Sequence, residues 1–192
     1  MRAITLAGFA DKFAQDSDPW STWTAPDEVL KRQAILHALS CRPVGRVLEL
    51  GAGNGSNSRA MARRGLRLDA TEATAEGTRL VAKAIAACRR AKAFELVAPA
   101  RTPRPRYDVI VISELLYYLS RKDMAKLARQ ISQLLERGGV LVLAHHRITF
   151  YDFAQRADGI QERFLTLTGA AWERRTVRKT GRWSVLSCKK ST

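Results

Sequence analysis

The sequence predicts an α/β fold, in which a mostly parallel sheet of seven strands carries helices on both faces and ends in an antiparallel hairpin. Two observations indicate this fold. Short apolar runs alternate with segments of helical periodicity along most of the chain, which is typical of parallel sheets. Near the C-terminus, the strand-like runs 172–179 and 182–188 flank Thr180-Gly181 without a helix between them, as expected for a hairpin.

The chain has 192 residues, a length that fits one domain with a sizeable core. We expect an N-terminal arm over 1–24, a leading helix over 25–40 and an α/β core over 46–192. The arm contains DSDPW at 16–20, whose proline and acids disfavour regular structure. Trp20 is costly to leave exposed, so it either packs on the domain or closes over a pocket.

The cysteines and apolar segments exclude several classes of protein. Cys41, Cys88 and Cys188 lie far apart and show no metal-ligand spacing, so reduced thiols and no bound metal are expected. The first residues mix apolar and charged side chains, unlike a signal peptide. No apolar run approaches the ~20 residues of a membrane span. We therefore expect a cytoplasmic protein, and the sequence gives no indication of oligomeric state.

The formal net charge is +15, which has two interpretations. A basic protein can bind nucleic acid or another anionic partner. Alternatively, the arginines lie on solvated helix faces, and their spread over nearly every predicted helix favours this interpretation. Nucleic acid therefore stays a possible but less favoured partner.

The segment Val47–Gly55, VLELGAGNG, predicts a nucleotide-binding turn. An apolar strand ends in glycines at alternate positions, and a helix expected over Ser56–Arg64 follows. Glycines let the backbone approach a ligand without a Cβ in the way, and the helix start offers unpaired N–H groups. The spacing G-x-G-x-G differs from the G-x-G-x-x-G of dinucleotide sites. A chance glycine turn is the alternative, so the argument depends on the surrounding elements.

The second strand, 67–71, ends at Glu72, which follows Gly51 by 21 positions. An acid at this place can accept both ribose hydroxyls of a nucleoside; the alternative is an ordinary exposed glutamate.

The remaining elements follow in alternation. We predict a helix after Thr74, a strand at 94–97, a strand at 108–113, a helix from Ser120 to glycines 138–139, a strand at 140–144 and a helix over about 152–167. We also predict that Gly65 ends the helix that follows the glycine turn.

Further polar residues fall at the carboxyl ends of the fourth and fifth strands, where ligands bind in such sheets. Glu114 can hold a cationic amine, or it can merely cap the strand end. Tyr117 can shape a pocket by stacking. His145 has an ordinary pKa near ~6.5, which suits proton acceptance at neutral pH, but a structural histidine explains it equally well. His146 should point to the opposite side if the strand persists.

These segments resemble the Rossmann-like methyltransferases that use S-adenosylmethionine, and more narrowly the nodulation protein S family of N-methyltransferases. The resemblance rests on DPW at 18–20, Lys31-Arg32, VLELGAGNG, Glu72, SELLYYL at 113–119 and LVLAHHR at 141–147. It implies S-adenosylmethionine as cofactor and S-adenosylhomocysteine as product. The cofactor-binding residues it implies are Glu49, Gly51, Ala52, Gly53, Gly55, Glu72, Ala73, Ser113 and Trp20.

The resemblance implies N-methylation of a small-molecule amine, with Glu114, Tyr117 and His145 as the candidate catalytic residues. Two other functions stay open. The first alternative is a methyltransferase that acts on RNA or another anionic macromolecule. The second is a protein that binds the cofactor without catalysis. The loop after the third strand, VAPARTPRPR, lacks the acid that contacts the adenine amine in many relatives.

Overall fold

The computed structural model describes residues 3–40, 45–64 and 66–191. Seven strands and six α-helices alternate through most of this part of the chain. The elements are α1 (Leu6–Gln15), α2 (Pro26–Ser40), β1 (Arg46–Leu50), α3 (Ser56–Arg63), β2 (Arg67–Glu72), α4 (Ala75–Ile85), β3 (Ala91–Glu95), β4 (Tyr107–Ser113), α5 (Arg121–Leu134), β5 (Leu135–His146), α6 (Ile160–Leu167), β6 (Trp172–Lys179) and β7 (Trp183–Lys190). A short 3₁₀ turn covers Leu116–Tyr118.

The strands form one seven-stranded sheet in the order β3-β2-β1-β4-β5-β7-β6. Strands β1 to β5 pair in parallel, whereas β7 runs antiparallel to β5 and to β6. The predicted α/β fold with a C-terminal antiparallel hairpin is therefore confirmed. The order reverses between β1 and β4, so their following loops diverge and leave a crevice at the carboxyl edge.

The sheet separates two apolar cores because its strands are buried on both faces. On one face, Leu48, Ile110 and Leu141 pack under α5 and α6. On the other, Val47, Val111 and Val142 pack under α2, α3 and α4. The alternation along each strand thus decides which helices a side chain meets, a point that matters for the two adjacent histidines of β5.

The arm is more ordered than predicted, because it contains α1. Thr5 caps this helix by accepting a hydrogen bond from the backbone N–H of Gly8, and Phe13 is buried on its inner side. The DSDPW segment itself lies outside regular structure, as expected. The prediction for the arm missed this helix, although its apolar residues at positions 6, 9, 10 and 13 recur at helical spacing.

The predicted bounds of β3, α5, β5 and α6 were wrong. β3 covers 91–95 instead of 94–97, because this edge strand alternates polar and apolar residues and has no continuous apolar run. Gly138 and Gly139 lie within β5, where the register against β4 shifts, and do not end α5. α6 begins only at Ile160, since Gly159 has a φ of +65° and the N–H groups of residues 154 and 155 bind the carbonyl of Tyr117. The predicted helix end at Gly65 lies outside the described residues.

Candidate active site

The glycine turn after β1 folds back onto β2. The N–H of Ala52 donates to the carbonyl of Thr71 at 2.9 Å. Gly53 has a φ of +61°, and a Cβ added to it would meet no described atom within 4 Å. Gly55 has a φ of +84° and precedes α3, and its added Cβ would lie 2.8 Å from the Cβ of Ala84. Gly55 therefore lets α3 pack on α4, whereas Gly53 leaves open space over the turn.

Glu72 faces this turn from the end of β2. Its Oε2 accepts the backbone N–H of Gly53 at 2.8 Å. Burial raises the pKa of Glu72, and hydrogen bonds from the backbone N–H groups of Gly53, Ala73 and Thr74 oppose that effect. The strand end and the turn thus place a carboxylate beside the open space above Gly53. A vicinal diol is a fitting ligand for two such oxygens.

Glu49 lies one strand away and is fully enclosed, at 1% exposure. Its Oε2 accepts the hydroxyl of Ser58 at 2.5 Å, while its Oε1 has no hydrogen-bond partner among the described residues. Burial raises the pKa of Glu49 to about 8, and the charge of Glu72 adds to this shift. A buried acid with a free oxygen fits a cationic ligand, which would stabilise its charged form.

The arm covers this edge of the sheet. Trp20 packs against Phe9 and Phe13 at ring-centroid distances of 5.9 and 5.5 Å, and it is 36% exposed. Phe13 reaches Gly77 beside the side chain of Glu72. Trp20 therefore packs on the domain, which is one of the two fates predicted for it, and its part in cofactor binding stays a prediction.

A second cluster lies at the ends of β4 and β5. Lys31 of α2 is 1% exposed, and its Nζ contacts Glu28 Oε1 at 2.7 Å and Glu114 Oε1 at 2.5 Å. Burial lowers the pKa of Lys31, but the charges and hydrogen bonds of Glu114 and Glu28 outweigh it and raise the pKa overall. His146 Nε2 lies 3.8 Å from Glu28 and 3.7 Å from Glu114. We call Glu28, Lys31, Glu114 and His146 the acidic cluster.

Glu114 owes its position to an uncommon backbone conformation. Its φ is +55°, which costs a non-glycine residue about 1–2 kcal/mol. Its N–H donates to the carbonyl of Ala144 at 2.9 Å, which extends the β4–β5 pairing by one residue. The side chain is thereby directed to Lys31 on α2. Strain of this kind at a strand end is typical of functional sites.

His145 lies on the opposite side of β5 from the acidic cluster. Its ring is 1% exposed, contacts the Tyr117 ring edge-to-face at 5.6 Å, and accepts the N–H of Leu116 at 3.4 Å. Burial lowers the pKa of His145 to about 3, and the charges of Lys31 and His146 act in the same direction. His145 is therefore neutral and enclosed at neutral pH.

The other predicted residues lie around these two groups. Tyr117 is 1% exposed and stacks on Phe153 at 3.7 Å, so it is part of the apolar core on the face of α5 and α6. Tyr118 is half-buried and meets Phe9 of the arm at 4.9 Å. Ser113 is buried at the end of β4, opposite Ala144. The roles of all these residues in binding and catalysis stay predictions.

The structure brings the predicted residues together in two groups. The glycine turn, Glu49 and Glu72 meet at the ends of β1 and β2, and Glu114 meets His146 at the ends of β4 and β5. His145 is separated from Glu114 by strand alternation. The sequence reasoning missed Glu28 and the role of Lys31, whose spacing on α2 puts both on one helix face and was the available signal.

The sequence was compared with known families. The methyltransferase domain family matches residues 26–180, which is most of the chain. The chain belongs to the methyltransferase domain family. The resemblance that the motifs indicated is confirmed at this level. Methyltransferases of this kind use S-adenosylmethionine, in agreement with the predicted cofactor. No significant match was found among curated proteins.

Solved structures confirm the fold. N-methyltransferase NodS from Bradyrhizobium japonicum WM9, in complex with S-adenosyl-L-homocysteine, is 18% identical with a TM-score of 0.78, covering 97% of this chain and 98% of that chain. A putative methyltransferase from Pseudomonas syringae is 24% identical with a TM-score of 0.69, covering 85% and 98%. The CurJ carbon methyltransferase is 20% identical with a TM-score of 0.66, covering 85% and 54%. Similar folds thus serve different acceptor atoms.

In the described part of this chain, every helix is too short or too polar to cross a membrane.

Proposed function

We propose that this methyltransferase transfers the methyl group of S-adenosylmethionine to the nitrogen of a small-molecule amine. The observation that carries the proposal is the acidic cluster, where two carboxylates face one buried lysine at the crevice edge. With one cation against two anions, the cluster favours a further cation, such as a protonated amine. NodS, whose fold covers almost the whole chain, is an N-methyltransferase.

We assign the cofactor to the open space above Gly53. S-adenosylmethionine supplies a methyl group on a positively charged sulfur and carries a ribose diol and an ammonium group. Glu72, already directed at the turn, would accept the diol, and Glu49 would offer its free oxygen to the cationic end of the ligand. The aromatic cluster of α1 would limit access of water to the ribose. The residues present therefore fit this cofactor.

The acidic cluster would bind the substrate and accept its proton. A protonated amine has no free electron pair, so it must lose a proton before it attacks the methyl carbon. Glu114 and Glu28 would hold the ammonium form, and His146, which lies within 4 Å of both carboxylates, would accept the proton. Bound S-adenosylmethionine would supply the electrophilic methyl group to the neutral amine and would leave as the neutral thioether. Holding the reactants in line is worth ~7–11 kcal/mol of barrier.

His145 receives a different part in this proposal from the predicted general base. Its pKa of about 3 and its enclosure leave it unable to collect a proton from a substrate in the crevice. Through its contacts with Tyr117 and the N–H of Leu116, it would instead fix the 3₁₀ turn that follows Glu114. The same contacts would fix the position of the Tyr117 ring.

The proposal is tested with S-adenosylmethionine that carries a labelled methyl group, incubated with matched sets of small amines, the corresponding alcohols and carbon acids of similar size. We expect label in the amines, with rates that rise with pH as the amine loses its proton. Transfer to alcohols alone, or to carbon acids alone, contradicts the amine assignment. Carbon acids are a necessary arm of the test, because one of the structural neighbours is a carbon methyltransferase.

A further inference from the structure

A basic groove lies between α3 and α4, on the sheet face that carries α2 and away from the acidic cluster. The groove encloses about 830 Å³, which is within the range of about 300–1,000 Å³ typical of ligand sites. Five cationic side chains line it, and its described lining includes no carboxylate. These cations are Arg59, Arg63, Lys83, Arg89 and Arg90. We call this feature the basic groove.

The cations of the basic groove differ from the other basic residues. On the edge strand β6 and the turn after it, Arg174 contacts Glu162 and Arg182 contacts Asp27, so acids balance part of that charge. The five groove cations have no carboxylate within 4.0 Å among the described residues. Uncompensated like charges held together favour a polyanionic ligand. If these five cations were only solvated surface residues, there would be no reason for all of them to line one groove.

An aromatic ring adds a second recognition element. Trp23 lines the groove, is half-buried, and carries the guanidinium of Arg59 over its face at 5.6 Å from the ring centroid. Grooves that bind single-stranded nucleic acid combine cations for the phosphates with rings, or arginine planes, on which bases stack. The amide of Asn54 also lines this end of the groove.

The groove adjoins the cofactor edge without sharing its acids. Asn54 is part of the glycine turn, and its Nδ2 donates to the carbonyl of Ser17 and to Asp18 of the arm. Neither Glu49 nor Glu72 lines the groove. A ligand in the groove would thus touch the turn from outside.

We propose that the basic groove binds a short stretch of single-stranded nucleic acid, with phosphates on the five cations and a base at the Arg59–Trp23 pair. The proposal concerns binding and goes beyond the proposed amine methylation.

The test measures the fluorescence anisotropy of a labelled oligouridylate titrated with the full chain at several salt concentrations. We expect binding that weakens steeply with salt. The double variant Arg59→Ser, Arg63→Ser should lower the magnitude of the slope of log affinity against log salt by about 1.4, because each single-strand phosphate contact contributes about 0.7. The matched control, Arg121→Ser with Lys122→Ser, removes the same charge from exposed positions of α5 on the opposite face and should leave affinity and slope nearly unchanged.

Variants of Trp23 test the stacking part of the proposal. Trp23→Phe should retain most of the affinity, whereas Trp23→Leu should weaken binding by roughly tenfold, in line with ~1–3 kcal/mol for a stacked base.

Equal effects of both pairs of charge variants would overturn the groove as the site. Displacement of the oligonucleotide by pyrophosphate at similar concentrations would also overturn it, since that outcome indicates a small phosphate ligand. Amine methylation by the Arg59→Ser, Arg63→Ser variant should be retained, so the two proposals fail separately.

Discussion

The two ends of the crevice are built in different ways. At β1 and β2, the ligand space is shaped by backbone: positive φ angles in a glycine turn and the N–H of Gly53 on Glu72. At β4 and β5, it is shaped by side-chain charge: Lys31 and Glu114, 83 positions apart, meet at 2.5 Å. The residues of the first end come from consecutive elements, between β1 and the end of β2. The second end forms only when α2 docks on the sheet. This difference predicts which substitutions damage folding and which damage binding.

Lys31→Met should produce the largest loss of stability. Removing the cation leaves two carboxylates facing each other at the crevice edge, and breaking a buried ion pair costs 3–5 kcal/mol. Because Glu28 and Glu114 are 19% and 26% exposed, we expect the lower end, about 3 kcal/mol. Thermal unfolding should show a fall in Tm of about 6–12 °C. The exposed Arg174–Glu162 pair is the control, and Arg174→Met should cost under about 1 kcal/mol.

Gly53→Val should abolish cofactor binding at the other end while the fold is retained. A Cβ added at Gly53 meets no described atom within 4 Å, and the valine side chain would occupy the space assigned to the cofactor. We expect at least a ~100-fold loss of S-adenosylmethionine affinity by calorimetry, which is about 2.7 kcal/mol.

Gly138→Val is matched to Gly53→Val, because Gly138 has a φ of +68° and also faces open space. Both variants should lose about 1–2 kcal/mol of stability from the backbone strain. Gly138, at the start of β5, lies away from the crevice, so its variant should bind the cofactor normally. Equal affinity in both variants would show that the glycine turn does not contact the cofactor.

Glu114→Gln should separate substrate binding from cofactor binding. It removes one charge from the acidic cluster and preserves the size of the side chain. A lost hydrogen bond to a charged group is worth about 1.5–3 kcal/mol, so kcat/KM for an amine should fall by roughly 10- to 100-fold. Affinity for S-adenosylhomocysteine should stay within about twofold. A loss of cofactor affinity without a change in amine kinetics would reverse the assignment of the two ends.

Glu49 should be visible in the pH dependence of stability. Its pKa is raised from 4.5 to about 8 on folding. Between these values the folded state holds a proton that the unfolded chain has released, so the contribution of Glu49 to stability falls as the pH rises from about 5 to 8. Urea unfolding of Glu49→Gln should show a weaker decline over this range than the wild type. A steeper decline in the variant would contradict the buried, protonated acid.

The contrast also explains what the sequence could predict. The alternation of strands and helices, the glycine turn and the acid at the end of β2 are local patterns, and the structure places them as expected. The acidic cluster depends on the docking of α2 and on the positive φ of Glu114, neither of which has a periodic signal. Strand alternation predicted that His145 and His146 face opposite sides, but the sequence alone did not show which side meets α2. The helix α1 was missed although its apolar residues recur at helical spacing. The edge strand β3 was displaced because it has no continuous apolar run.

The central claim is that the glycine turn and Glu72 hold a sulfonium nucleoside at the carboxyl edge of the sheet. Calorimetric titration of the full chain with S-adenosylmethionine, S-adenosylhomocysteine and NADH, in parallel, tests it most directly. The account predicts single-site binding of the first two ligands and no measurable heat of binding with NADH. Binding of NADH alone would contradict the account.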